Sequence, residues 1–236
     1  MKFAKLAAAA LICAVSTGAA IAQRSETSVE DDYLSNMEDV IITELAASDD
    51  YDNKLVALQY LENAVAEGRT SPDMVAALDS LAGEGIKTKS KTNGRVMNNF
   101  PDIRAKACDI LGEIPTKESK STLLSIAAED NEPMVVTAAV RSLGNIGMNE
   151  GDDVVAAIEF IQHKYNALNP TSSLALEVLN AYEKLAPDVE DKGAMIQSIS
   201  EIASNGKYVK PVRDKARSLI RDLTSSGSSS KNSKEK

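Results

Sequence analysis

Residues 98–114 read NNFPDIRAKACDILGEI, and residues 130–146 read DNEPMVVTAAVRSLGNI. Laid over each other at an offset of 32, they place Pro101 on Pro133, Ile103 on Val135, Ala107 on Ala139, Leu111 on Leu143, Gly112 on Gly144 and Ile114 on Ile146. Spacings of three and four residues put these apolar positions on one helix face. Proline at the first turn starts a helix at a position whose N–H has no partner anyway. Alanine in the middle lets a neighbouring helix approach, and glycine loosens the last turn. One helix pair of this kind cannot bury its own apolar face, so the repeat implies a stack of pairs.

Weaker copies lie on both sides. Ala175, Leu179 and Tyr182 form one, and Val212, Ala216, Ile220 and Leu223 form another, with Arg213 at the place of Arg104. Ala57, Leu61 and Ala64 form a copy on the N-terminal side. The repeat alanines are then 50, 32, 36 and 41 residues apart. The longest interval holds IKTKSKTNGRVMNN, residues 86–99, which drops the helical period, is basic and turn-rich, and reads as an inserted loop. Residues 33–47 and 53–66 carry helical periodicity, with Leu55, Leu58, Leu61 and Val65 as the expected core stripe of the second segment. Ser71-Pro72 is an N-cap followed by a first-turn proline. Further helices are expected to open at Pro101, Thr116, Pro133, Gly151, Pro170, Asp188 and Val209. The serine-rich segment 225–236 reads as a disordered polar tail, and 23–30 as a flexible N-terminus.

The Pro–x–Val-Arg–x–x–Ala–x–x–x–Leu-Gly–x–Ile pattern of 100–150 resembles bacterial HEAT-like repeats, a type also found in phycobilin-lyase-related proteins. Arg104 and Arg213 occupy the arginine position. Val136 replaces it in the second clear copy, and the 170–186 copy lacks both arginine and glycine. The resemblance implies an all-α fold over residues 31–224: a right-handed, HEAT/armadillo-like α-solenoid of about four or five antiparallel helix pairs. It also implies a protein-binding surface, and does not extend to bilin chemistry.

Composition agrees with helices. Of 236 residues, 43% are apolar but only 4% aromatic, with no Trp, against the aromatic and β-branched richness of sandwiches and barrels. Two Cys exclude a disulfide scaffold and a four-thiolate zinc site. One His excludes multi-histidine metal centres. Residues 1–22 read as a signal peptide: Lys2 and Lys5, an apolar stretch from Leu6 to Val15, and Ala20-Ile21-Ala22 as a cleavage signal before Gln23. Cys13 raises the alternative of a lipid anchor; secretion beyond the envelope is another. The expected location is periplasmic, with no transmembrane segment in the mature form. Without the leader, Cys108 is a lone thiol in an apolar helical run, expected to be a buried core residue.

No motif identifies a reaction. His163 lies off the centre of its helical stripe. The acidic pairs Asp49-Asp50 and Asp152-Asp153 sit at helix starts, where they suit the helix dipole. Arg104 and Arg213 are expected to bridge neighbouring repeats. No catalytic residue, metal ligand or cofactor site is assigned. Charge is more informative: residues 23–85 hold 15 acidic and three basic side chains, whereas 86–95 hold four basic and no acidic ones. The acidic bulk argues against nucleic-acid binding. The leading expectation is a non-enzymatic scaffold or adaptor that binds another envelope protein, with Lys87, Lys89, Lys91 and Arg95 of the insert as partner-binding residues. The competing expectation is a lyase-like enzyme, or an accessory regulator of an envelope enzyme.

Overall fold

A computed structural model describes residues 29–231, and side chains over 33–225. The signal peptide and the segment 23–28 lie outside the described residues. The chain comprises two compact units, one ending at Glu38 and one beginning at Asp39. The described part of the first is the start of helix α1 (Val29–Ala47).

The second unit contains the rest of α1, followed by α2 (Tyr51–Ala66), α3 (Pro72–Ala82), a minimal hairpin of β1 (Lys91–Thr92) and β2 (Arg95–Val96), α4 (Pro101–Leu111), α5 (Lys117–Glu129), α6 (Pro133–Ile146), α7 (Asp153–Leu168), α8 (Ser172–Leu185), α9 (Lys192–Ser204) and α10 (Lys210–Lys231). It is an all-α HEAT-like solenoid of packed neighbouring helix pairs. The even-numbered helices α2 to α10 form one layer and the odd-numbered α3 to α9 the other.

The start signals act as their chemistry dictates. Ser71 Oγ accepts from Met74 N at 3.2 Å ahead of Pro72. Thr116 Oγ1 accepts from Ser119 N at 3.1 Å. Asp50 caps α2 through Asp52 N and Asn53 N. Gly147 closes α6 at φ +70°, a left-handed conformation that glycine adopts without a Cβ penalty.

The repeat register is visible in burial. Ala57, Ala107, Ala139, Ala175 and Ala216 are all 0% exposed, on the even layer's inner face. Three local readings need correction. Leu55 is 42% exposed; the inner stripe of α2 runs instead through Lys54, Ala57, Leu58, Leu61 and Ala64, because the closer-packed alanine column sets the helix rotation. The ninth helix opens at Lys192 rather than near Asp188, since Pro187 sits in a short 3₁₀ turn and Asp191 supplies the N-cap. Helix α10 continues past Ser225 to Lys231. At its described end, the Thr224 and Ser225 hydroxyls bond back to carbonyls one turn earlier, which satisfies polar groups that would otherwise favour coil.

Candidate functional site

Small residues in the even layer bring its helices close together. A Cβ on Gly112 would lie 2.6 Å from Ser142 Oγ, and one on Gly144 would lie 2.7 Å from Ala181 Cα. Hence α4, α6 and α8 pack more intimately than α3, α5 and α7 do in the opposite layer. The looser layer leaves a groove of about 980 Å³ between α3 and α5. Pro72, Val75, Ala76 and Ile114 give it apolar walls. Thr116, Ser121, Thr122 and Ser125 add hydroxyls, with Asp79, Lys87, Lys117 and Glu118 as the charged groups. Asp79 is engaged: its Oδ1 accepts from Thr122 Oγ1 at 2.6 Å and from Lys87 Nζ at 3.1 Å.

The 86–99 insert is anchored at both ends by buried charge. Lys54 Nζ, on α2, donates to Glu84 Oε2 at 2.9 Å and to the Ala46 carbonyl at 3.0 Å. Glu84 Oε1 accepts from Asn98 Nδ2 at 2.6 Å, and Asn98 also bonds Thr88 O and Ser90 N. Gly85, at φ +73°, sits where a Cβ would lie 2.4 Å from Asn98 O, so the stem closes only with glycine there. Arg104, 1% exposed, completes the clamp. Its Nε donates to Asp130 Oδ2 at 2.8 Å, and one terminal nitrogen reaches both Glu84 O (3.1 Å) and Asn99 Oδ1 (2.9 Å). One guanidinium thus ties both ends of the insert to the α5–α6 turn, a fork geometry that lysine lacks.

The four basic residues expected to bind a partner do not converge. Lys87 lines the α3–α5 groove, paired with Asp79. Lys89 lines a separate cavity of about 260 Å³ with Arg104 and Asp130. Lys91 and Arg95 are exposed on the hairpin. Lys91 pairs with Val96 and Thr92 with Arg95, so these two basic side chains occupy opposite faces. Only Lys87 therefore meets the groove.

The remaining candidates have local duties. His163 lies between Glu201 (3.0 Å) and Glu159 (3.5 Å) on the odd layer and joins α7 to α9. Asp152 caps the chain before α9: the Asp191 and Glu190 amides donate to it, and the Asp191 hydrogen bond chiefly holds its carboxyl below the ordinary value. Cys108 is fully buried, and burial pushes its thiol well above the ordinary range. Among the described residues no group of three or more His, Cys, Asp or Glu side chains is placed to hold a metal ion, and no helix is long and apolar enough to cross a membrane.

Two features escaped the reading of the sequence. The Lys54–Glu84 pair joins residues 30 apart that look like ordinary surface charges. The other is a ladder across the outer even layer: Arg141 bonds Asp109 at 2.7 Å and Glu177 at 3.5 Å. Asp109, Arg141 and Glu177 hold the same repeat position, two residues after Ala107, Ala139 and Ala175, so the aligned repeats contain the signal.

A family model described as HEAT repeats matches residues 96–163. No curated protein and no solved structure matches the chain. The matched stretch spans α4, α5, α6 and most of α7, the helices that carry the clearest repeats and one wall of the groove.

Proposed function

We propose that the chain is an exported, non-enzymatic HEAT-like scaffold or adaptor that binds another protein of the cell envelope, and that the α3–α5 groove is its principal contact. The observation that carries this reading is the groove itself: about 980 Å³ of hydroxyl-edged, apolar-walled space on the looser layer. Of its two carboxylates, Asp79 and Glu118, Asp79 is occupied by Lys87 and Thr122, which suits a binding surface better than a reaction centre. The clamped insert presents Lys87 at the rim at little ordering cost. Export rests on Lys2, Lys5, the apolar stretch and Ala20-Ile21-Ala22; a mature N-terminus at Gln23 in native material is the matching result, and a lipidated Cys13 the contrary one.

The direct test places a photo-crosslinking residue at Ala76 or Ser121 in the groove, and at Met134 on the outer even layer as a control. The reading expects a discrete envelope adduct from the groove positions alone. Equal adducts from Met134, or none from the groove, would reject it. Replacing Lys87, Lys89, Lys91 and Arg95 together by Ser should weaken capture while leaving helicity intact, with an effect that shrinks as salt rises.

A further inference from the structure

We infer that the protein associates with itself head to tail, the flank of α2 that faces away from α4 in one copy packing against the flank of α10 that faces away from α8 in the next.

Within the even layer, neighbouring helices follow one rule: apolar packing below and ion pairs across the outer edge. Glu62 pairs with Lys106 between α2 and α4, Asp109 with Arg141 between α4 and α6, Arg141 with Glu177 between α6 and α8, and Glu183 with Lys215 between α8 and α10. Among the described residues, both outermost helices of this layer have a second flank that no such pair covers. On α2, Tyr51 and Glu62 mark the α4 side, through Phe100 and Lys106. At about 100° per residue, Val56 and Tyr60 lie roughly 120–180° round from them. Both are 41% exposed, and Asp52 and Glu67 flank them. On α10, Lys215 marks the α8 side. Lys210, Arg213, Arg217 and Arg221 lie roughly 120–160° round from it, with Asp214 at their edge, paired to Lys210 and Arg217.

The two flanks are complementary. On the α2 flank Asp52 and Glu67 border the two apolar residues, with Arg69 paired to Glu67, whereas on the α10 flank Lys210, Arg213, Arg217 and Arg221 outnumber Asp214. One end is acidic around two apolar anchors, and the other presents a basic row. The repeat register agrees. Arg104 extends forward to the carboxylate of the next inter-helix turn, Asp130. Arg213, at the equivalent position, makes no ion pair among the described residues, and its buried Nε lacks a hydrogen-bond partner there. Among the described residues, the forward arginine pairing of the repeats thus stops at α10, where the acidic α2 flank of a second copy would meet it. Such a contact is heterologous, so it builds open chains, or rings if the rotation closes.

Sedimentation velocity of the protein purified from cells expressing the full chain tests this, with two end variants. Val56→Lys/Tyr60→Lys disables the α2 flank, with Asp52→Lys as a milder form, and Arg213→Glu/Arg221→Glu disables the α10 flank. The wild type is expected to grow with concentration, its apparent Kd rising about tenfold or more between low and high salt. Each variant alone should be monomeric. An equimolar mixture should form dimers and nothing larger, since it retains one working junction. Three results would overturn the proposal: a wild type that is monomeric throughout, a variant of either flank that still self-associates, or a mixture of folded variants that stays monomeric.

Discussion

Replacing Arg104 by methionine removes the clamp at the base of the insert. The side chain is 1% exposed and Asp130 is 2% exposed. The loss leaves a buried carboxylate without its cation, and takes a donor from both Glu84 O and Asn99 Oδ1. Removing one member of a buried ion pair typically costs about 3–5 kcal/mol, a large share of a total stability of about 5–15 kcal/mol. For a unit of this size, each kcal/mol moves the melting temperature by about 2–4 °C, so Arg104→Met is expected to melt about 10 °C lower. Because Arg104 holds both stems, damage should be greatest at the insert. Trypsin, which cuts after Lys87, Lys89, Lys91 and Arg95, should cleave the variant there well before the helices open. Arg104→Lys keeps the charge but not the fork, and should fall between the two. A variant that melts within about 2 °C of wild type, with an unchanged tryptic pattern, would refute the assignment of Arg104 as the clamp.

Other outcomes follow from the same packing. Ala107→Leu or Ala139→Leu adds volume at fully buried positions and should cost about 1–3 kcal/mol in chemical denaturation; unchanged midpoints would show the repeat register to be misplaced. Gly144→Ala sets two effects against each other. Helix propensity favours alanine by about 1 kcal/mol, but the new Cβ would meet Ala181 Cα at 2.7 Å. A net loss of stability is expected, and a net gain would show that α6 and α8 separate freely. Cys108 should resist a thiol reagent in the native protein at pH 8 and react at once in denaturant. Its folded pKa lies above the ordinary 9.0, so its contribution is fully present below pH 9. As pH rises past 9 the thiol ionises in the unfolded chain first, and stability should fall. Cys108→Ala should flatten that alkaline slope.

Periodicity made the stack legible because a solenoid asks the same thing of every repeat: an alanine where two helices meet. Ala57, Ala107, Ala139, Ala175 and Ala216 could therefore be placed from spacing alone. Leu55 could not, since α2 offers apolar residues on more than one side and only the packed neighbours choose the buried one. The groove was illegible for a different reason. It is a gap, produced by how closely Gly112 and Gly144 let the opposite layer pack, and no residue in it has a distinctive spacing. The basic insert was conspicuous by composition, but composition does not reveal that Lys87 turns to Asp79 while Lys91 and Arg95 face apart. Nor does a list of charges distinguish Lys54 and Glu84, buried together, from their solvated neighbours.

The alternation of Asp109, Arg141 and Glu177 at one repeat position also bears on how such a chain changes length in evolution. Repeat arrays gain and lose units by recombination between similar copies. Excising the single unit that carries Arg141 would set Asp109 directly against Glu177, two carboxylates where each now faces a guanidinium. Inserting a second copy of that unit would set arginine against arginine. Losing the unit of Asp109 or of Glu177 instead sets the arginine beside Gln59 or Ser218 and brings no like charges together. The sign pattern on the outer edge therefore disfavours loss or duplication of the central repeat, and leaves loss of either neighbour free of that constraint.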